Sequence, residues 1–210
     1  MTIVNNDFKD VVFGRKSVKE FDPNYKISEE EMLSMLNDAM TAPSSVNFQP
    51  WRPVVVVSEE GKNKLRPLVS FNSRQNDTSS AMVVIFADMN PQSHGENIYS
   101  NAVEKEYMPK EVKEQILPSI IDMYDSMSKD NMRELVKVDS SLFAMQFMLV
   151  ARSYGYETNA IGGFDYENIA ESLGLDKDRY IPVVIIAVGK PAKESRDTYR
   201  LPAEEITKFI

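Results

Sequence analysis

Two stretches of this chain, AMVVIFAD at 81–88 and YIPVVIIAVG at 180–189, are runs of branched apolar residues that do not alternate with polar ones. A strand with one wet face alternates, so both runs are expected to be covered on both faces. PVVVVS at 53–58 reads as another buried strand. Helical segments are available as cover. In SEEEMLSMLNDAM, 28–40, Ser28 can cap the helix and Glu31 can close a capping box. Met32, Leu33, Met35, Leu36, Ala39 and Met40 then form the buried side, and Pro43 is the stop. A longer helix over 131–154 carries SSLFAMQFMLV, apolar around most of its circumference. It is expected at the centre, buried by the rest of the domain or by a second subunit, and ended by Gly155. Helices over 3–14, 59–70, 111–126 and 166–175, with a loop and one irregular helix in 90–110, complete a two- or three-layer α/β arrangement. The tail, RLPAEEITKFI, has no evident internal partner.

Bulk composition excludes several classes. With 210 residues, 42% of them apolar, the chain can build one substantial core. Its 24 basic residues are outnumbered by 32 acidic ones, for a formal charge of -8. Such a surface is a poor partner for nucleic acid or an anionic membrane, so any bound phosphate is expected to be small and locally held. There is no cysteine, so disulfide and thiolate chemistry are absent, in agreement with a reducing cytoplasm. MTIVNNDFKD lacks the basic start and apolar core of a signal peptide, and VVIIAV at 183–188 is too short to span a bilayer. A Ser–His–Asp triad would rest entirely on His94, the sole histidine, in the polar loop PQSHGEN. No multi-histidine or cysteine metal site is present, and no carboxylate pair is spaced for acid–base work.

What remains is a set of binding-type clusters. FGRKSVKEF, 13–21, places Arg15, Lys16, Ser17 and Lys19 within five residues. Arg15 can hold phosphate oxygens in a fork and Ser17 can donate a hydroxyl bond, although a solvated helix end would look the same. APSSVNFQPW, 42–51, offers Ser44, Ser45, Asn47 and Gln49 as short polar arms after Pro43; Trp51 either packs a flat surface or anchors the core. NAIGGFD, 159–165, permits close approach of a flat ligand to backbone donors at Gly162 and Gly163, or is an ordinary turn. KESRDTYRLP, 193–202, adds Arg196 and Arg200 as phosphate contacts, with a surface ion-pair network as the rival.

In their order and separation, RKSVKEF, APSSVNFQPW, GGFD and YRLP resemble the nitroreductase family of FMN-dependent NAD(P)H oxidoreductases, over nearly the whole chain. The resemblance implies a single nitroreductase-like FMN-binding domain, 1–210, of α/β (α+β) class. Its central sheet would be mixed and mostly antiparallel, flanked by helices, with a long buried central helix and a C-terminal tail wrapping the dimer. It implies a cytoplasmic homodimer with FMN at the subunit interface. NADH or NADPH would donate hydride through flavin N5, ping-pong, to nitroaromatics, quinones or similar acceptors. By position in the family's motifs, Arg15 and Ser17 would hold the phosphate, completed by Arg200, with Lys16 among the cofactor contacts and Lys19 near the ribityl chain and ring edge. Pro43, Ser44, Ser45 and Asn47 would approach from the partner subunit. Asn72 would meet the ring edge or ribityl chain, with Arg74 or Gln75 nearby, and Gly162 and Gly163 would lie along the ring. No side chain is expected to act as a catalyst, with Lys19 and the Gly163 backbone as electrostatic support. A specialised acceptor such as an enoyl compound, or flavin binding without turnover, is the alternative.

Two departures stand out. Many relatives carry a basic residue where this chain has Thr198, so Arg196 or Lys190 is expected to compensate or phosphate binding to weaken. Some carry an acid at the position of Gly162. Acceptor selectivity is expected from Tyr99, Tyr107, Met108, Tyr124 and Met127 in 90–130.

Overall fold

The computed structural model describes residues 3–210. Its sheet has the order β1–β2–β4–β3, with β1 Trp51–Val56, β2 Ala81–Asp88, β3 Glu157–Ile161 and β4 Tyr180–Gly189. All three strand pairings are antiparallel. Among the described residues, the parallel component of the expected mixed sheet is one bridge, Ser17 with Thr158.

The two runs without alternation are the two central strands, and every residue of β2 is buried. Val83, Ile85, Ile186 and Val188 join one core cluster with Met32, Met35, Leu36, Phe143 and Phe147. Met82, Val84, Phe86, Ile185 and Ala187 join another with Phe21, Leu65, Val69 and Ile169. The arrangement is therefore three layers. Each buried large side chain contributes roughly 1.5–3 kcal/mol. Opposite the Ile85–Phe86 step the register skips Val183, a bulge next to Pro182, which has no N–H to give the ladder.

Helices α1 Phe8–Gly14, α2 Glu29–Ala39 and α7 Lys129–Ser153 lie on the first side. Helices α3 Glu59–Leu65, α4 Ser73–Thr78 and α8 Ile169–Ser172 belong to the second. Helices α5 Gly95–Glu104 and α6 Lys110–Asp125 pack together over a third cluster that includes Phe48, Tyr99, Leu117, Tyr124 and Val136. A short α9, Ala203–Ile206, lies in the tail.

Ser28 caps α2 by accepting the Glu31 N–H at 3.1 Å. The Glu31 side chain is buried rather than reaching back to close the box. Leu33 and Met40, expected inside, are exposed because the buried stripe runs 32, 35, 36, 39 and leaves positions 33 and 40 outside it. The helix expected over 59–70 stops at Leu65, before Pro67, and 166–175 keeps only the single turn of α8. Gly155, at φ 81°, follows the end of α7 as expected. Within this chain α7 is buried on one side only; Val138, Leu142 and Met145 are exposed. Leu201, Ile206, Phe209 and Ile210 of the tail are exposed as well. No helix among the described residues is long and apolar enough to cross a membrane.

Candidate active site

Residues 15–20 continue from α1 as an extended segment. The Val18 N–H donates to the Thr158 carbonyl at 3.0 Å, and Val18 turns inward to the core. Extended backbone alternates, so Ser17 and Lys19 face outward and are exposed. The chain returns to the same place after β4. The Asp22 N–H donates to Lys190 O at 2.8 Å and the Ala192 N–H to Glu20 O at 3.0 Å. Lys193 pairs with Glu20 at 3.0 Å, and Lys16 pairs with Asp197. Lys16 hydrogen-bonds the Asp197 carboxyl and, with its charge, holds it below the usual range.

This return brings Arg196, Thr198 and Arg200 against Arg15, Lys16 and Ser17 in a cavity of about 330 Å³. Four cations face one carboxylate there, in a chain with a net charge of -8. Arginine forks beside the Ser17 and Thr198 hydroxyls suit the oxygens of a phosphate. An adjoining cavity of about 530 Å³ contains Ser17, Lys19 and Arg74. Of the two cations that could stand in for a basic residue at 198, Arg196 lines both cavities. Lys190 lines neither; its Nζ donates to Gly155 O at 2.5 Å and lies over the Tyr25 and Tyr156 rings.

Asn72, Gln75 and Gly163 form a second group. Asn72 Nδ2 donates to Gly163 O at 3.1 Å, and Gln75 Nε2 donates to Asn72 Oδ1 at 3.1 Å. Gly162 and Gly163 follow β3 directly and are exposed. A Cβ on Gly162 would meet nothing within 4 Å, and one on Gly163 only Asn72 Nδ2 at 3.8 Å. Nothing in the chain itself requires glycine at these positions, which fits a flat group lying against the backbone. Among the described residues neither N–H donates a hydrogen bond.

Pro43, Ser44, Ser45 and Asn47 are a third group, and none of them lines the two basic cavities. Their loop lies against α5, α6 and α7 instead. The Ser45 N–H donates to Asp139 Oδ2 at 3.0 Å, and the Gln49 N–H to Ser44 Oγ at 3.1 Å. The Tyr99 hydroxyl donates to Val46 O at 3.1 Å. Trp51 is a core anchor, stacked on Phe143 at 5.2 Å between ring centroids. Tyr99 and Tyr124, expected to face an acceptor, are buried and brace this loop; Tyr107 is exposed, and Met108 and Met127 pack on the third cluster.

Asp139, Asp88, Arg52 and Arg179 escaped the sequence reading. Asp139, on the buried side of α7, has its carboxyl pushed up by burial, partly offset by the Ser45 N–H. Asp88, at the end of β2, receives Arg179 Nε and Nη2 at 2.9 Å each and Arg52 Nη2 at 3.3 Å. Arg52 also donates to Gln49 O at 2.8 Å, tying the loop to that carboxylate. His94 Nε2 sits 3.4 Å from Asp88 Oδ2, which places the lone histidine beside this network without a hydrogen bond to it.

The Nitroreductase family model matches residues 12–190. The chain is 50% identical over 207 residues to YdgI of Bacillus subtilis, assigned as an NAD(P)H nitroreductase, with 99% of each chain covered. It is 40% identical over 209 residues to the CLA biosynthesis enone reductase of Lactiplantibacillus plantarum, covering 99% and 96% of the two chains. Among solved structures, one assigned as an NAD(P)H:FMN oxidoreductase from Staphylococcus epidermidis superposes with a TM-score of 0.97 at 49% identity, over 100% of both chains. Another, from Exiguobacterium sibiricum and assigned as a nitroreductase, was solved in complex with FMN; its TM-score is 0.97 at 45% identity, again over 100% of both chains. The chain therefore belongs to the nitroreductase family and is an oxidoreductase enzyme.

Proposed function

We propose that residues 1–210 form one FMN-binding domain and that two copies make a cytoplasmic homodimer using NADH or NADPH to reduce nitroaromatics, quinones and similar electron-poor acceptors. The chemistry FMN supplies when bound is hydride transfer through flavin N5, ping-pong, from the nicotinamide to the acceptor. Arg15, Lys16, Ser17 and Arg200, with Arg196 beside Thr198, hold the phosphate. Lys19 lies toward the ribityl chain and ring edge. Asn72 and Gln75 orient the ring edge, and the free N–H groups of Gly162 and Gly163 face the isoalloxazine, where donors stabilise negative charge in a partly dry cleft. Pro43, Ser44, Ser45 and Asn47 complete the wall of the partner's cleft, in keeping with their separation from the basic cavities of their own chain.

The observation that carries this reading is the basic cavity, assembled from residues 15–17 and 196–200 at opposite ends of an acidic chain. A conjugated enone is an acceptor of the same electronic kind. The 0.91 TM-score and 40% identity to the CLA-ER enone reductase favour including it as a second substrate class. The test is the visible spectrum of the purified protein, followed by anaerobic addition of NADH or NADPH. A flavin spectrum that bleaches is expected. A flavin that stays oxidised would leave a binding protein without turnover, and no flavin after incubation with FMN would remove the reading.

A further inference from the structure

Val46, Asn47 and Gln49 hold positive φ values of 46°, 57° and 47° in a loop that contains no glycine. For β-branched Val46 this is a steric outlier. Such geometry persists only where the surroundings over-determine it, and here they do. At the start of the loop the Ser45 N–H is held by Asp139 Oδ2 at 3.0 Å. In the middle the Tyr124 hydroxyl reaches Ser45 O at 3.4 Å and the Tyr99 hydroxyl reaches Val46 O at 3.1 Å. At the end Arg52 grips Gln49 O at 2.8 Å and is itself anchored on Asp88 at 3.3 Å.

Asp139 is the unusual member of this set. It is 4% exposed, on the buried side of α7, where its neighbours are Met132, Val136, Ser140, Phe143 and Phe147. Among the described residues its carboxylate pairs with no cation, and its one hydrogen bond comes from the neutral Ser45 N–H. A buried carboxylate with so little compensation is unfavourable, and a well-packed apolar residue at such a site is often neutral or stabilising. Stability alone gives no reason for an acid at this position.

We propose that Asp139 is a positioning residue. Through the Ser45 N–H it keeps residues 44–49 in their left-handed geometry, so that Ser44, Ser45 and Asn47 present their polar arms in the register FMN requires. The proposal rests on the flavin reading above. Its test compares the full-length wild type with Asp139→Ala and Asp139→Asn by FMN titration, by hydrogen exchange of the 43–49 segment in the flavin-free protein, and by thermal midpoint. In Asp139→Ala, exchange at Ser45 should accelerate and FMN should bind about tenfold more weakly, the effect of one lost hydrogen bond to a charged group, without a lower midpoint. Asp139→Asn keeps an acceptor for the Ser45 N–H and should recover most of the loss. Equal FMN affinity in Asp139→Ala overturns the proposal while leaving the flavin reading intact. So does an affinity loss that tracks a falling midpoint with no recovery in Asp139→Asn, since that is the mark of a merely structural residue. A wild-type protein that binds no FMN overturns the flavin reading and the proposal together.

Discussion

Replacing Asp88 by Asn changes almost nothing in volume and removes one charge from the most heavily bonded carboxylate described above. Asp88 has a fully buried side chain that takes the Arg179 fork at 2.9 Å, Arg52 at 3.3 Å and the Asn90 N–H at 2.9 Å. Burial pushes its carboxyl up, but the Arg179 bond, the Asn90 N–H and the two guanidinium charges outweigh that and hold it below the usual range. Removing one partner of a buried pair costs about 3–5 kcal/mol. The Arg52 and Arg179 side chains are 29% and 36% exposed, so they regain water when abandoned, and a discounted ~2–3 kcal/mol is the better figure. For a chain of this size that lowers the thermal midpoint by roughly 5–10 °C.

Because the folded-state value lies below the unfolded one, Asp88 stabilises fully above the unfolded carboxylate range, and that contribution is lost as pH falls through the folded value. The wild-type-to-Asp88→Asn gap should therefore be full at neutral pH and close in acid, as pH falls below the ordinary carboxylate range and through the lowered folded-state value. Thermal unfolding of the flavin-free protein, stepped from neutral pH into acid, checks this. A midpoint shift under about 2 °C at neutral pH would refute the assigned energy. A gap that persists unchanged into acid would show that packing, and not charge, holds this corner.

Arg196→Ala and Arg200→Ala should each weaken FMN binding about tenfold, read by flavin titration, since each removes a fork from the basic cavity. Lys190→Ala should leave that affinity within about twofold and lower the midpoint, because Lys190 serves Gly155 O and the two tyrosine rings. Leu142→Glu charges the exposed apolar row Val138, Leu142 and Met145 on α7. It should shift the elution volume to that of a monomer and abolish FMN binding together; a monomer that retains FMN would exclude a shared cofactor site.

The parts of this molecule that could be read in the sequence are those where the residue pattern and the burial demand the same thing. Strands β2 and β4 lack alternation because both faces are covered, and the same fact that made them legible makes them central. β3, ETNAI, carried no such signal: Thr158 and Asn159 are buried polar residues and Ala160 is exposed, so its strand identity comes from pairing with β4. The polar arms of the 44–49 loop were legible as composition, but its strain was not, since positive φ without glycine leaves no mark in the sequence. Asp139 is different. The buried side of α7 runs 132, 136, 139, 143, 147, and an acid on that period contradicts the pattern around it. Asp88 likewise closes an apolar strand buried to its last residue. The period that identifies a core face also identifies the charge that does not belong there, and two such charges in this chain, Asp139 directly and Asp88 through Arg52, hold the same loop, one at each end.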